Sequence, residues 1–161
     1  MTSGSLLGRL AEDCRGGFRL GEARFLLIRP ETLIGLQKAL ERALGAGVAD
    51  CFAEGGRAGG ARAMPTLAGS AEERAQALAR MGAELGWGTF TVETMTPTTL
   101  VITVANSPFA EAHGRAPEPV CHLTRGVLEA LAENIFGGRM SVRETHCEAA
   151  GASHCRFEAR A

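Results

Sequence analysis

The residues best suited to chemistry stand near the C-terminus. The stretch ETHCEAAGASHC, residues 144–155, brings Glu144, Cys147 and Cys155 close together in sequence and sets a histidine beside each cysteine. Cys121 precedes them in PVCHLTRGVLEAL. Three thiolates and one carboxylate around a single ion make a closed tetrahedral set, which suits zinc in a structural role. The same residues allow a disulfide between Cys147 and Cys155 across a hairpin, or a set of unrelated thiols. His122, His146 and His154 could each replace Glu144 as a ligand. A Cys–His nucleophile has less support, because neighbours along a strand point apart and catalytic pairs normally come from distant segments.

The elements must position these groups. A chain of 161 residues, 45% apolar and 22% charged, has the size and composition of one globular domain with its own core. Its net charge of −1 gives no reason to expect nucleic acid, which requires a basic face. MTSGSLLGRLAEDC lacks the basic and apolar regions of a signal peptide, and no run reaches the roughly 18 apolar residues of a membrane span. A cytoplasmic protein with no membrane partner is the expectation. In that reducing setting five cysteines read as thiols or metal ligands before structural disulfides.

Residues 1–23 read as a loosely ordered lead-in that leaves Cys14 a free thiol, with the ligand-binding domain over 24–161. Arg24–Arg29 reads as a short strand. Pro30 opens a helix whose Leu33, Leu36, Leu40 and Leu44 mark one buried face, and Gly45 and Gly47 stop it. A weaker helix covers Val48–Glu54, with Cys51 as a small buried apolar residue. The glycine-rich stretch 55–65 lacks a GK[ST] ending and a preceding strand, so it reads as a flexible connection or lid, not a phosphate loop. Ser70 and Glu73 form a capping box. Two β-rich runs flank Met95–Thr98 as a hairpin, residues 106–118 read as a loop, and a helix runs from Pro119 to Phe136. MSVRETHCEA and HCRFEAR are the last strands. The class is α+β: a mainly antiparallel sheet packed with helices, in a single domain with a zinc-stapled C-terminal hairpin. Cys121 would sit at a helix start, where the dipole favours thiolate. Side chains alternate along a strand, so Glu144 and Cys147 reach one ion only if the strand ends or bulges between them.

Trp87, Phe90, Met95, Phe109 and Phe136 are large apolar residues that could line a pocket. Trp87 offers an N–H to a ligand, and His113 a hydrogen bond to a ligand's polar end. With no tyrosine and 5% aromatics, the lining would be mostly aliphatic. No GxGxxG follows a strand, and flavin and iron–sulfur ligand patterns are missing, so the sequence offers no redox-cofactor motif. Four protein ligands would leave the metal no open position for catalysis. The expectation is a binding domain in preference to an enzyme.

The pattern C-(22 residues)-E-x-x-C-(7 residues)-C resembles the 4-vinyl-reductase domain family, and RFLLIRPETLIGLQKALERALGAG resembles that family's opening. The family includes sensory domains of phenol- and xylene-responsive activators, a bacteriochlorophyll-biosynthesis protein and relatives among vesicle-tethering subunits. The resemblance implies zinc held by Cys121, Glu144, Cys147 and Cys155, with Gly151 as the turn glycine and Phe157 as a core aromatic. It also implies an apolar pocket near the metal and a homodimer. The resulting reading is a stand-alone zinc-containing sensor of a small apolar or aromatic molecule, working through a downstream signalling or biosynthetic protein. The alternative is an accessory carrier of a tetrapyrrole intermediate in bacteriochlorophyll synthesis.

Overall fold

The computed structural model describes residues 6–160. Its elements are β1 (Ala11–Glu12), β2 (Phe18–Leu20), β3 (Ala23–Phe25), α1 (Pro30–Leu44), α2 (Val48–Ala63), α3 (Ala71–Glu84), β4 (Thr89–Met95), β5 (Thr99–Ala105), α4 (Pro108–His113), α5 (His122–Phe136), β6 (Val142–His146) and β7 (Cys155–Arg160). The expected α+β class with antiparallel sheets is what the chain adopts.

The main sheet runs β4-β5-β7-β6, all antiparallel. Alternation sends Leu100, Ile102 and Val104 of β5 and Cys155, Phe157 and Ala159 of β7 to the buried side. Phe157 and Ile102 are almost fully enclosed, each stabilising the fold by about 2 kcal/mol. The β4–β5 hairpin turns at Thr96–Thr98, where the Thr96 amide donates to the Thr99 carbonyl at 2.9 Å. α3 starts with the expected capping box: Ser70 Oγ accepts the Glu73 amide at 3.2 Å, and Glu73 Oε2 accepts the Ser70 amide at 2.7 Å.

Four readings need correction. The weak helix and flexible connection are one helix, α2, continuous through the glycines. Gly56 and Gly60 are buried against α5: a Cβ at Gly56 would lie 2.2 Å from the Leu123 carbonyl oxygen, and one at Gly60 3.1 Å from the Val127 Cα. On α5, a Cβ at Gly126 would lie 1.8 Å from the Ala53 carbonyl oxygen. Glycine is used here for close backbone approach, and tertiary packing overrides its poor helix propensity. Cys51 on α2 is exposed, not buried. Within the expected loop 106–118, Ser107 and Pro108 start α4, since a serine N-cap followed by proline is a good helix opening.

The fourth correction concerns α1. Ile34 and Gln37 point into the core, Leu33 and Leu40 are half-buried, and Leu36 and Leu44 are exposed. Successive residues turn 100° around a helix, so burying 34 and 37 rotates the leucine stripe toward solvent. The strand expected over 24–29 covers only Ala23–Phe25, and Leu26, Leu27 and Ile28 beyond it are exposed. β3 belongs to a small β1-β2-β3 meander. The turn between β1 and β2 is closed by Asp13, whose carboxylate accepts the Arg15 and Gly17 amides at 3.0 and 2.7 Å. Cys14 lies in that turn as an exposed thiol.

Candidate metal centre

α5 and the β6–β7 hairpin meet at one buried corner. Cys121 is the N-cap of α5, Glu144 sits in β6, Cys147 follows the end of β6 and Cys155 opens β7. β6–β7 pairing is irregular between Glu144 and His146: Glu144 faces Phe157 while His146 faces Arg156. The extra residue and the end of β6 turn Glu144 and Cys147 to the same side. After Cys147 the chain makes one tight turn, with the Ala150 and Ala152 amides donating to the Cys147 carbonyl. It reverses at Gly151, which sits at φ +95°, a region that favours glycine.

One ligand atom from each of Cys121, Glu144, Cys147 and Cys155 lies within 4.8 Å of all the others, and all four residues are buried. The sulfur separations are 3.7 Å for Cys121–Cys155, 3.9 Å for Cys147–Cys155 and 4.0 Å for Cys121–Cys147. Sulfurs bound tetrahedrally at about 2.3 Å from one zinc would lie roughly 3.8 Å apart. All five cysteines are free thiols, and no pair in the corner is set apart from the third. Glu144 Oε2 accepts the Cys121 amide at 3.0 Å, which orients the carboxylate, while Oε1 is buried without a hydrogen-bond partner. A buried carboxylate oxygen left unpaired is costly, and a cation beside it removes that cost. The donor set, spacing and orphan oxygen fit a metal ion.

The electrostatics agree. Burial pushes Glu144 up to about 8, and the neighbouring Cys147 charge adds to the shift. Cys147 is lowered, first by hydrogen bonds from the Cys121 and Cys155 thiols. The same Cys147 and Cys155 bonds, then burial, push Cys121 up. Without a cation one thiolate is held by two neighbouring S–H groups. A divalent ion would replace those protons.

No histidine enters the cluster among the described residues. His146 Nδ1 is 3.1 Å from Thr145 Oγ1, and His154 Nδ1 is 3.0 Å from Ser153 Oγ. His122 lies half-buried at the start of α5, and burial lowers its pKa.

Of the four expected ligand-binding residues, Trp87 and Phe109 meet edge to face, with ring centroids 5.0 Å apart at 83°. Phe109 is buried in α4 and Trp87 is half-buried between α3 and β4. Phe90 packs on α3, where a Cβ at Gly82 would touch its ring at 2.8 Å. His113 lies four residues after Phe109 and is half-buried at the end of α4; its carbonyl accepts Lys38 Nζ at 2.7 Å. Met95 and Phe136 pack against the core. Two residues were missed in the sequence. Ser107 Oγ lies 3.3 Å from Cys121 Sγ, and the Glu148 amide donates toward Cys155 Sγ at 3.4 Å. The Ser–Pro helix opening was a readable signal for the first; only the fold reveals the second.

No helix among the described residues is long and apolar enough to cross a membrane. Residues 100–161 match the family model of the 4-vinyl-reductase domain, so the kinship read from the C-terminal motif holds over the stretch that carries the metal corner. The phenol-responsive sensory domain of the transcription activator PoxR, solved with phenol, superposes with a TM-score of 0.85 at 23% identity, over 96% of this chain and 86% of that one. A vinyl-4-reductase family protein from Methanocaldococcus jannaschii superposes with a TM-score of 0.58 at 20% identity, over 87% and 84%. At these identities the likeness establishes the fold. An uncharacterised protein of M. jannaschii, MJ1642, is 40% identical over 43 residues, a stretch spanning 27% of each chain.

Proposed function

We propose that this chain is a binding domain for a small apolar or aromatic molecule, stapled by a structural zinc on Cys121, Glu144, Cys147 and Cys155. The observation that carries the reading is the closed, buried corner of three thiols and one carboxylate. It lies within a fold shared over 96% of the chain with a phenol-responsive sensory domain. Thiolate-rich tetrahedral sites select zinc, and four protein ligands leave it a structural part. When bound, the ion supplies charge neutralisation for the thiolates and tethers α5 to the hairpin. The chain's own residues do the rest: Glu144 is aimed by the Cys121 amide, and the irregular β6 turns it toward the sulfurs.

The ligand would contact Trp87, Phe90 and Phe109, with His113 hydrogen-bonding its polar end. Support for this comes from the Trp87–Phe109 contact and from the position of His113 one helical turn after Phe109. A homodimer fits the exposed apolar residues Leu26, Leu27, Ile28, Leu36 and Leu44, which are 44–78% exposed. Large apolar side chains left in solvent together mark a protein contact. A sensor without its own output domain would act through a separate protein.

Trp87 is the only tryptophan, so its emission reports on the site. Titration with phenol should change that emission saturably in the wild type and at least tenfold more weakly in Phe109→Ala. Absence of any saturable change with phenol and with simple aromatic hydrocarbons would remove the aromatic-ligand reading. A Soret shift on adding protoporphyrin would support the tetrapyrrole carrier in its place.

A further inference from the structure

Ser107 stands between the metal corner and the helix that carries Phe109. It is almost fully buried, and its hydroxyl oxygen accepts the Ala110 amide at 3.4 Å as the N-cap of α4. The same hydroxyl lies 3.3 Å from Cys121 Sγ. A second fastener holds this corner: the Glu148 carboxylate accepts the Asn106 and Ser107 amides at 2.7 and 2.9 Å. Asn106 adopts φ +60°, a turn conformation that asparagine tolerates. Glu148 itself belongs to the metal loop, with its amide directed at Cys155 Sγ.

The chemistry sets the direction of the Ser107–Cys121 bond. A hydroxyl that accepts a backbone amide still has one proton to donate, and it faces Cys121. A metal-bound cysteine is a thiolate and can only accept.

We propose that Ser107 is a positioning residue of the metal centre, its hydroxyl donating to the Cys121 thiolate and tying the start of α4 to the metal. The inference rests on the metal reading above. Donation draws electron density from the sulfur and holds the Cys121 side chain in its ligating orientation, as outer-shell hydrogen bonds do at metal sites. It also makes one side chain common to the metal corner and to α4, whose Phe109 touches Trp87.

Cobalt(II) loaded into the full chain tests this through the sulfur-to-metal charge-transfer absorption and through competition with a chelator. Ser107→Ala removes the hydroxyl, Ser107→Gly removes it while keeping a residue well suited to start a helix, and Ser107→Thr retains it. Ser107→Ala and Ser107→Gly should yield cobalt roughly tenfold more readily and shift the charge-transfer band to lower energy, because the sulfur becomes richer in electrons. Ser107→Thr should stay near wild type on both. A folded Ser107→Gly with unchanged band and chelator response overturns the inference and leaves the metal reading standing. So does a Ser107→Thr protein that loses the band as fully as Ser107→Gly. A wild type that takes up no cobalt overturns the metal reading, and this inference with it.

Discussion

The two ends of α5 are held by different physics. Along its body, α5 lies against α2 at contact distances set by Gly56, Gly60 and Gly126, where no side chain intervenes. At its N-terminus the same helix ends on Cys121, in a corner of ionisable groups that would repel one another without a cation. The first contact is dispersion and shape; the second is coordination. Ion pairs assist the first only lightly, since Arg57–Glu133 and Arg125–Asp50 keep water access and such pairs are worth up to about 1 kcal/mol. One helix is therefore fixed by two unrelated means, and each can be removed separately.

The strongest break should come at the corner. Cys155→Ser replaces a buried thiolate by a poor zinc ligand. Chelator-resistant metal should be lost, with a fall in stability of several kcal/mol out of the ~10 that a structural zinc contributes in small zinc folds. Metal analysis and thermal unfolding, each with added chelator, measure both. Next is the dry contact. Gly126→Ala sets a Cβ against the Ala53 carbonyl and should cost about 3 kcal/mol by overpacking, while zinc stays bound. If Gly126→Ala released the metal as fully as Cys155→Ser, the two ends would not be separable.

Acid separates them further. Metal-free Glu144 holds its proton up to about 8, and metal uptake must displace it. Lowering the pH below 8 should therefore weaken zinc binding by roughly tenfold per pH unit for this proton alone, measured by competition with a chelator of known protonation. Glu144→Gln should flatten that component of the slope. The smallest effect sharpens the helix contact. Gly59 is exposed on α2 with open space where a Cβ would stand, so Gly59→Ala should be neutral or stabilise by up to ~1 kcal/mol. Gly60→Ala, one residue on and facing α5, should destabilise.

This contrast also explains what was legible in the sequence. The metal corner could be read because its ligands are chemically unusual and two of them lie on one hairpin. The need for a bulge or strand end between Glu144 and Cys147 followed from strand alternation, and the β6–β7 irregularity meets it. The Ser70–Glu73 capping box and the β4–β5 turn were equally local. The α2 glycines misled because their purpose lies on α5, far along the chain, while local propensity alone penalises them. The α1 leucines misled in the opposite way: periodicity identifies an apolar face without saying what covers it. Here the chain's own core takes Ile34 and Gln37, and Leu36 and Leu44 are left at the surface.

Native mass spectrometry of the untagged protein, before and after denaturation, tests the central claim most directly. The account predicts one zinc per chain in the native protein, lost on denaturation, and lost from native Cys155→Ser as well. A folded wild-type protein that stays metal-free when purified with zinc present would contradict it.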